Sequence, residues 1–427
     1  MILQGRWHAT TYALSLKAES LSVAINRDEI VACDGAGRLY SVYHDGRHHR
    51  RSLNGTVLQK WITDQRQRRW LSETEIDQLI DAAALRFQEL RAALSSPDWI
   101  WVTPPESCAA LERLFTVLER AAHFDSVQAR RDAERFAGIY AANDVRRADS
   151  TQRAGSHPIG ILPPDQYLAL VLQATTGCTF NTCTFCDLYQ QPFRVKTPAE
   201  FRQHVRDVLA YLGDSLSLRR HSVFLGAANA LALPMARLLP LFEIIREELR
   251  PALLAPLPSR KEGWGEGVYA FLDAFTGIRK SVEDYRALAE HGLKRVYIGL
   301  ESGHDPLLEF VRKPGRAQDA IETVKTIKAA GINVGLIVMI GLGGERFAAG
   351  HATDTITVLN HMPLGTGDLI YFSDLVEEPG TSYPILAEQH GIHPLTAAER
   401  AGQREWIRRG LSPGVKISSY DVREFVY

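Results

Sequence analysis

Three cysteines stand close together in the segment TTGCTFNTCTFC, in a chain that is otherwise poor in thiols. Cys178, Cys183 and Cys186 have the spacing C-x4-C-x2-C, and the only other cysteines are Cys33 and Cys108. Structural zinc sites and electron-transfer iron–sulfur cubes are usually closed by four protein ligands. Three protein ligands leave one coordination position open, which is typical of a catalytic centre. The spacing therefore predicts a metal centre that takes part in chemistry.

Two other interpretations of these cysteines stay open. They could be inert buried thiols, or they could bind a structural zinc ion completed by a histidine. His157, His204 and His221 are the candidates for that fourth ligand, but none stands at the short, paired spacing of zinc-binding motifs. A non-enzymatic iron–sulfur or zinc-binding protein is therefore one alternative function.

The elements that must position the cysteines form a regular alternation of apolar strands and amphipathic helices. Strands are predicted at 168–174, 222–226, 268–274, 295–300, 332–340 and 368–373, and helices near 198–213, 234–250, 281–291, 316–330 and 351–361. Continuous apolar strands separated by helices indicate a parallel sheet covered by helices. No GxGxxG follows the first strand, so a partial barrel is favoured over a doubly wound sheet. The site is expected at the carboxyl ends of the strands, where the cysteine loop begins.

The preceding part of the chain has a different pattern. Residues 20–61 show short alternating runs broken by DGAG, HDG and LNG, which predict a small antiparallel meander, and helical spacing follows from 72 to about 143. The predicted fold class is α/β, a partial (β/α)6 TIM-like barrel with an N-terminal β meander plus helices. The predicted domains are 1–150 for the meander and helices, 151–390 for the barrel, and 391–427 for a C-terminal helix and strand near the barrel mouth or the N-terminal sheet.

Two further segments carry expectations about closure of the site. The segment GVKISSYDVREFVY, residues 414–427, alternates apolar and polar residues. It is predicted to pair with a strand from 20–61 and to help close the site. The Pro/Gly-rich insertion at 255–267 is predicted to be a surface loop, with a lid as the alternative.

Composition restricts the class of protein. The 427 residues carry a formal net charge of -1, so no global field attracts nucleic acid or an anionic membrane. No apolar stretch reaches the roughly 18 residues of a membrane span, and no signal peptide is apparent. Five cysteines, three of them clustered, do not form a disulfide framework. A reducing, cytoplasmic location is expected.

The cysteine loop after the first strand, with an aromatic residue before the last cysteine, resembles that of the radical S-adenosylmethionine (radical SAM) superfamily in its C-x4-C-x2-C form. The resemblance covers about residues 165–390. It implies that Cys178, Cys183 and Cys186 ligate three irons of one [4Fe–4S] cluster, and that S-adenosylmethionine chelates the fourth iron. It also implies reductive cleavage of S-adenosylmethionine to a 5′-deoxyadenosyl radical that takes hydrogen from a substrate.

The resemblance also implies cofactor contacts at the first two strands. Phe185 is expected near the adenine. The segment FLGAANAL stands in place of the family's Gly-Gly-Glu motif, and Gly226 matches its first residue. Ala227 and Ala228 replace the second glycine and the acid, so Asn229 or backbone carbonyls are expected to contact the ammonium group instead. A tight turn is the alternative role for Gly226.

Cofactor contacts are expected at the fourth and fifth strands as well. Glu301 and Ser302 directly follow an apolar strand and suit ribose hydroxyls or the methionine carboxylate, with helix capping as the alternative for Glu301. The backbone around Ile340 and Gly341 is expected to contact the adenine edge. No catalytic acid or base is assigned, because hydrogen-atom abstraction needs none.

The resulting expectation is a radical SAM enzyme that acts on an unidentified small molecule and takes electrons from a flavodoxin- or ferredoxin-like donor. Asp273, Asp374, Glu377 and Glu378 lie near strand ends and could contact a cationic or polyhydroxylated substrate. The isolated Cys33 and Cys108 disfavour a second cluster, and no D-x-H-x-x-G motif indicates a cobalamin domain. A radical SAM enzyme acting on RNA is the alternative.

That RNA alternative is suggested by two basic segments, DGRHHRR and DQRQRRW, in the N-terminal part. The near-neutral net charge speaks against it, and no aromatic-rich RNA-binding signature accompanies the two segments. Nucleic acid is therefore not expected as a partner.

Overall fold

A computed structural model describes the chain over residues 1–63, 66–140, 159–189, 192–219, 222–253, 267–377 and 380–427. It shows a nine-stranded antiparallel sheet, a seven-stranded parallel sheet and a two-stranded ribbon. The α/β fold class is thereby confirmed. The proposed division at 150/151 stays a prediction, because that boundary lies in 141–158, outside the described residues. The 255–267 insertion lies outside them as well, except for its last residue.

The N-terminal sheet is a continuous meander with one added strand. It contains β1 (Ile2–Trp7), β2 (Thr10–Leu16), β3 (Ser20–Ile25), β4 (Glu29–Asp34), β5 (Leu39–His44), β6 (Arg47–Arg51), β7 (Val57–Ile62), β8 (Arg66–Trp70) and β9 (Trp99–Thr103). The meander therefore extends beyond the predicted 20–61 on both sides. β9 pairs antiparallel with β1 and was not predicted. Asp45 and Gly46, the DG between β5 and β6, have φ of 49° and 70°, as a two-residue hairpin loop requires.

Three helices cover one face of this sheet: α1 (Glu73–Leu94), α2 (Cys108–Ala122) and α3 (Ser126–Tyr140). α1 begins at Ser72, whose hydroxyl accepts from the Glu75 backbone N–H while the Glu75 carboxylate accepts from the Ser72 backbone N–H. This reciprocal cap satisfies amides that the first helical turn leaves free. Phe87 and Leu90 of α1 then pack into a core with sheet residues such as Leu14.

The second half of the chain alternates strands and helices as predicted. In order it contains β10 (Leu170–Gln173), β11 (Thr175–Thr176), β12 (Arg194–Val195), α4 (Pro198–Leu212), β13 (Val223–Gly226), α5 (Met235–Leu253), β14 (Val268–Leu272), α6 (Ala274–Gly277), α7 (Val282–Glu290), β15 (Leu293–Glu301), α8 (Asp305–Phe310), α9 (Ala317–Ala329), β16 (Asn333–Ile340), α10 (Gly344–Asn360), β17 (Leu369–Asp374), α11 (Tyr383–Gln389), α12 (Ala397–Gly410) and β18 (Lys416–Tyr420). The parallel sheet has the order β10-β13-β14-β15-β16-β17-β18. All six predicted strands are present.

Aromatic side chains form a layer across the inner face of this sheet. The Phe224 ring lies 5.1 Å from Phe271 and 6.0 Å from Tyr297, although β13 and β15 are separated by β14. Side chains two residues apart on a strand share a face. Gly226 and Gly299 therefore occupy the next layer toward the carboxyl ends, where they contribute no side chain. The aromatic rings thus lie on the amino-terminal side of these two glycines.

The amino end of the inner face is closed by a single carboxylate. Asp165, in the turn before β10, accepts hydrogen bonds from Tyr297 Oη at 2.5 Å, Tyr371 Oη at 2.6 Å and Arg295 Nη1 at 2.8 Å. Burial, followed by the Asp165 charge, raises the pKa of Tyr297, which keeps that hydroxyl protonated as a donor. A ligand therefore has to enter from the opposite, carboxyl end.

The C-terminal segment differs from its prediction. β18 pairs parallel with β17, with Ile370 opposite Ile417, and becomes a seventh strand of the barrel sheet. The prediction that 414–427 pairs with a strand from 20–61 is therefore wrong. The free edge of β17 offers a parallel partner that is reached through α12, and alternation within the segment could not reveal that choice.

The residues after β18 do reach the N-terminal sheet, but through side chains and single backbone contacts. The Leu53 backbone N–H and the Ser52 hydroxyl donate to the Tyr427 carbonyl at 2.8 and 3.1 Å. The Tyr427 ring stacks under the Arg219 guanidinium, 3.8 Å from its centroid. This end of the chain thus joins the two sheets beside the start of β10.

Side chains from three distant segments also satisfy the open edge of β10. The Tyr427 hydroxyl accepts from the Val171 N–H and donates to the Ala169 carbonyl, both at 3.1 Å. Tyr140 Oη donates to the Val171 carbonyl at 2.8 Å, and His204 Nε2 accepts from the Gln173 N–H at 2.9 Å. An edge strand exposes unpaired backbone groups, and here tyrosine and histidine side chains take the place of a further strand.

Candidate active site at the carboxyl ends of the parallel strands

The cysteine loop starts from a short ribbon at the carboxyl end of β10. Thr175 and Thr176 form β11, which pairs antiparallel with β12. The Thr175 hydroxyl accepts from the Ala227 N–H at 3.2 Å and so ties the ribbon to the end of β13. Gly177 follows with φ of 66°, a conformation that glycine adopts without steric cost. The chain therefore turns sharply and begins the loop with Cys178.

The far side of the loop is fastened to the segment after α8. Thr184 N–H donates to the Val311 carbonyl at 3.0 Å, and the Thr182 hydroxyl donates to the Arg312 carbonyl at 3.0 Å. The Thr184 carbonyl accepts from the Tyr383 N–H at 2.9 Å. These bonds set the loop between the ends of several elements and bring Lys313, the next residue in the chain, toward the cysteines.

The three thiols are half-buried and influence one another electrostatically. Burial is the main cause that raises the pKa of Cys186, to about 12, and it also raises the pKa of Cys183. Cys178 raises both values further, which places the three sulfurs within electrostatic reach of one another. Burial therefore favours the protonated thiols, and thiolate ligands at these positions would need a cationic partner. The donor set fits a multinuclear iron–sulfur centre, whose positive charge would compensate all three.

His204, the candidate fourth ligand that the structure describes, is engaged elsewhere. Its Nε2 accepts from the Gln173 N–H at 2.9 Å, and burial lowers the pKa of His204 to about 3. His157 and His221 lie outside the described residues. Over the described ranges, no group of three or more His, Cys, Asp or Glu side chains is arranged to hold a metal ion.

Glu301 is placed at the site by an unusual backbone conformation. It is the last residue of β15, with φ of 60°, and it interrupts the regular pairing with β16. Its Oε1 lies 3.7 Å from Lys313 Nζ, and its buried Oε2 has no hydrogen-bond partner among the described residues. A Cβ at Gly299 would lie 2.5 Å from Oε1, so a side chain there would displace the Glu301 carboxylate. Glu301 thus offers an unused acceptor.

Lys313 is the buried cation of the site, and sequence reasoning missed it. Although burial lowers its pKa, the charges of Glu301 and Cys183 raise the pKa of Lys313 above the ordinary value, with smaller contributions from Asp273 and Cys186. The ammonium therefore stays charged beside the thiols. No local pattern marks Lys313, because its position depends on how α8 meets the cysteine loop.

Asn229 braces the site from within the protein. Its Nδ2 donates to Thr179 Oγ1 at 2.9 Å, to Thr276 Oγ1 at 3.2 Å and to the Asp273 carboxylate, and its Oδ1 accepts from the Asp273 N–H at 3.1 Å. Both ends of the amide are therefore in use. Asn229 joins the cysteine loop to the end of β14, and the ligand contact expected for it stays a prediction.

Ser302 is likewise engaged within the protein. Its side chain is fully buried, and the hydroxyl donates to His351 Nδ1 at 2.6 Å and accepts from the His304 N–H at 3.0 Å. His351 Nε2–H donates in turn to the Met339 carbonyl at 3.1 Å. Burial lowers the pKa of His351 to about 4, so the ring is neutral and Nδ1 accepts. Ser302 holds the turn after Glu301 against α10.

The backbone groups expected to contact adenine already have protein partners. The Ile340 carbonyl accepts from the Leu375 N–H at 2.8 Å, and the Gly341 N–H donates to Gln403 Oε1 at 2.9 Å. Gly341 has φ of 85°, which turns the chain away from β16. These bonds position the strand end, and only the second lone pair of a carbonyl is left for a ligand.

Phe185 and Gly226 lie at opposite sides of the cysteine loop. Phe185 is half-buried against a small apolar cluster that includes Leu307 and Tyr383. Gly226 ends β13, and a Cβ there would meet Val171 Cγ1 at 3.6 Å, which is ordinary contact. Among the described residues no close neighbour demands glycine at 226, so its effect is to leave the inner face open.

Two further polar groups at this end of the sheet were missed from the sequence. Gln173 and Thr176 are buried, and neither Gln173 Oε1 nor Thr176 Oγ1 has a hydrogen-bond partner in the described part of the chain. Their signal was visible as polar residues between the apolar run LVL and the first cysteine. With Glu301 Oε2, they make three buried acceptors without partners.

The strand-end carboxylates proposed for substrate contact have different environments. Asp273 caps α6, with Oδ1 accepting from the Thr276 N–H at 2.7 Å. Asp374 forms an ion pair with Arg404 of α12. Glu377 is exposed, and Glu378 lies outside the described residues. None of the described three points to a particular substrate.

The basic segments behind the RNA alternative are largely neutralised. Lys60 lies 2.7 Å and Arg68 3.1 Å from the Glu424 carboxylate, and Arg69 lies 2.7 Å from Glu75. Arg51 is buried 3.5 Å from Asp132. These residues hold the last residues of the chain and the helices to the N-terminal sheet. No helix of the described ranges is long and apolar enough to cross a membrane.

Solved structures show weak similarity to this chain, at low sequence identity. A cobalamin-dependent S-adenosylmethionine radical enzyme, OxsB, is 16% identical over 58% of this chain and 32% of its own, with a TM-score of 0.36. HydG, a maturase of the [FeFe]-hydrogenase, is 17% identical over 79% of this chain and 62% of its own, with a TM-score of 0.40. Coproporphyrinogen III oxidase (HemN) from Escherichia coli is 13% identical over 57% and 52%, with a TM-score of 0.39. The matched part of this chain covers about a third (32%) of the length of OxsB.

The family assignment rests on a match to a family model. No curated protein matches the chain. The family described as the Radical SAM superfamily matches residues 172–349, which contain the three clustered cysteines, Glu301 and Lys313. This partial match implies a [4Fe–4S] cluster and S-adenosylmethionine for the matched segment. Residues 172–349 are therefore similar to the radical SAM superfamily, which is a family of enzymes.

Proposed function

We propose that this enzyme binds one [4Fe–4S] cluster through Cys178, Cys183 and Cys186 and takes a hydrogen atom from a small-molecule substrate. The observation that carries the proposal is the placement of one loop with three cysteines beside the Lys313–Glu301 pair, at the carboxyl ends of a parallel sheet. When bound, the cluster supplies one low-potential electron to S-adenosylmethionine, which yields methionine and a 5′-deoxyadenosyl radical.

The residues around the thiols have separate tasks in this proposal. Lys313 compensates the negative charge of the cysteine thiolates. Glu301 uses its unpartnered oxygen to accept from ribose hydroxyls. Phe185, beside the last cysteine, packs against the adenine, and Gly226 leaves room on the inner face for the ligand.

Four other residues act by positioning. Asn229 holds the cysteine loop against the end of β14, and Ser302 fixes the turn that follows Glu301. Ile340 and Gly341 hold the end of β16 beside the adenine. Because preorganised groups lose little freedom on binding, such braces support precise placement of the substrate C–H bond.

The barrel interior protects the reactive centre. The aromatic layer of Phe224, Phe271 and Tyr297 lies on the amino-terminal side of the two glycines of the inner face, and Asp165 closes the end behind it. This arrangement keeps water from reaching the site through the barrel. Hydrogen-atom abstraction requires no acid or base, so the groups that matter exclude solvent and orient the ligand. Electrons come from a flavodoxin- or ferredoxin-like donor.

Metal analysis of protein purified without oxygen tests this proposal. We expect close to four irons and four sulfides in each chain, and the Cys178→Ala, Cys183→Ala and Cys186→Ala variants should lose them. Cys33→Ala and Cys108→Ala are matched controls that should keep the cluster. S-adenosylmethionine should perturb the spectrum of the reduced cluster, and dithionite should then yield 5′-deoxyadenosine. Zinc as the main metal under these conditions would overturn the proposal.

A further inference from the structure

Gln173 keeps a buried acceptor without a partner at the heart of the site. It is the last residue of β10 and is only 5% exposed. Its backbone N–H donates to His204, but its Oε1 meets no donor among the described residues. A buried acceptor that has lost its hydrogen bonds to water and formed none within the protein lowers the stability of the fold. A group from outside the chain is therefore the natural partner.

The register of the sheet places this amide on the inner face. Gln173 is paired with Gly226, and Val171 with Phe224, so the Gln173 side chain lies one layer above the aromatic rings. Its neighbour Gly226 has no side chain to fill the space or to donate a hydrogen bond. The amide is also on the strand that leads directly into the cysteine loop.

The residues that directly follow Gly226 at the end of β13 supply no acid. Ala227 and Ala228 follow Gly226 and have no side-chain acceptor. Asn229, the next polar residue, uses both ends of its amide within the protein. An ammonium group held here would need an acceptor from another strand, and Gln173 supplies one.

We propose that Gln173 binds the α-ammonium group of S-adenosylmethionine and does so in place of the missing acid on β13. The inference rests on the proposed function, since it requires the cofactor at this site. A neutral amide accepts from an ammonium group without adding a negative charge beside three thiolates and Glu301. It therefore avoids a further repulsion that a carboxylate would create.

Affinity for S-adenosylmethionine tests the inference, measured from the change in the spectrum of the reduced cluster. Gln173→Met should weaken binding about tenfold or more, because a hydrogen bond to a charged group is lost. Binding of an analogue without the α-amino group should be equally weak in wild type and variant. Equal affinity of wild type and Gln173→Met for S-adenosylmethionine would overturn the inference, and would indicate that the amide faces the substrate instead.

The melting temperature of the protein without S-adenosylmethionine gives a second, independent readout. Gln173→Met should leave it unchanged or raise it, because an unsatisfied acceptor is removed. Gln59→Met is the matched control. Gln59 is only 4% exposed, and its amide forms hydrogen bonds with His49 at 2.7 Å and Arg69 at 2.8 Å. That control should lower the melting temperature and leave affinity unchanged. A comparable drop for Gln173→Met would show an internal partner and overturn the inference.

These outcomes separate the inference from the proposed function. A wild-type protein that loads no cluster or does not respond to S-adenosylmethionine contradicts the proposed function itself. A wild type that responds normally, together with an unaffected Gln173→Met variant, contradicts only the role of Gln173.

Discussion

Removal of Lys313 should reveal how strongly the buried pair at the site is coupled. Lys313 Nζ and Glu301 Oε1 are 3.7 Å apart, and the side chains are 17% and 11% exposed. At that distance two unit charges attract by about 4.5 kcal/mol with an effective dielectric constant of about 20. Desolvation of both groups offsets part of this energy. Lys313→Met should still cost about 3 kcal/mol, because it leaves Glu301 buried with neither oxygen paired.

A double-mutant cycle isolates the coupling from other losses. Urea unfolding of the cluster-free wild type, Lys313→Met, Glu301→Gln and the double variant would give four free energies of unfolding. The double variant should be more stable than the sum of the single losses predicts, with a coupling energy of about 2–3 kcal/mol. Additive losses would refute the view that these two side chains interact as a buried ion pair.

The pH dependence of the stability of Lys313→Met tests whether Lys313 lowers the pKa of Glu301. Burial raises the pKa of Glu301, and Lys313 opposes that shift. Without Lys313 the folded-state pKa rises further, so the folded carboxyl holds a proton that the unfolded one releases at lower pH. Because burial already raises the folded-state pKa of Glu301 in the wild type, the destabilisation by Lys313→Met should grow only above that raised pKa, and it should be larger at pH 8 than at pH 5.5. A constant loss across that window would contradict the assignment.

Two other predictions concern the frame of the site. Burial lowers the pKa of His204 to about 3 and that of His351 to about 4, so below pH 6.5 the unfolded chain binds protons that the folded chain does not. As pH falls below 6.5, the free energy of unfolding should decrease by up to about 1.4 kcal/mol per pH unit for each histidine. Urea titrations at pH 7.5 and 5.5 can measure this decrease. Tyr427→Phe removes the hydroxyl that serves Val171 N–H and the Ala169 carbonyl. It should cost about 2–4 kcal/mol and speed hydrogen exchange at Val171, whereas unchanged exchange there would contradict the edge contact.

The barrel could be predicted because its buried strands consist of continuous apolar residues, which are visible in the sequence. Runs such as VFLG at 223–226 and LIVMI at 336–340 are apolar on both faces, which distinguishes strands covered by helices from half-exposed ones. The cysteine spacing likewise carries its chemistry locally. Elements whose partner lies far away in sequence were harder: β9 was hidden between helices, and β18 was assigned to the wrong sheet.

The finer parts of the site depend on three-dimensional neighbours that no local pattern records. Asn229 and Ser302 were predicted as ligand contacts because they are polar residues at strand ends, and those contacts stay predictions. Whether such a residue faces a ligand or a neighbouring loop depends on what packs behind it, here Thr179 and His351. Lys313 was overlooked for the same reason, since it meets Glu301 only through the docking of α8 on the cysteine loop.

The way in which side chains finish the edge of β10 has a consequence for the order of folding. The Tyr427 hydroxyl bonds Val171 and Ala169, which lie 256 and 258 positions earlier in the chain. The Tyr427 carbonyl accepts from Ser52, which lies 375 positions earlier. Closing such long loops costs a large conformational entropy before the contacts stabilise the fold. We therefore expect these contacts to form after the rate-limiting step of folding. Substitutions at Tyr427 should therefore leave the refolding rate nearly unchanged and accelerate unfolding. In that case the lifetime of the native state, rather than the speed with which it is reached, depends on this single aromatic side chain.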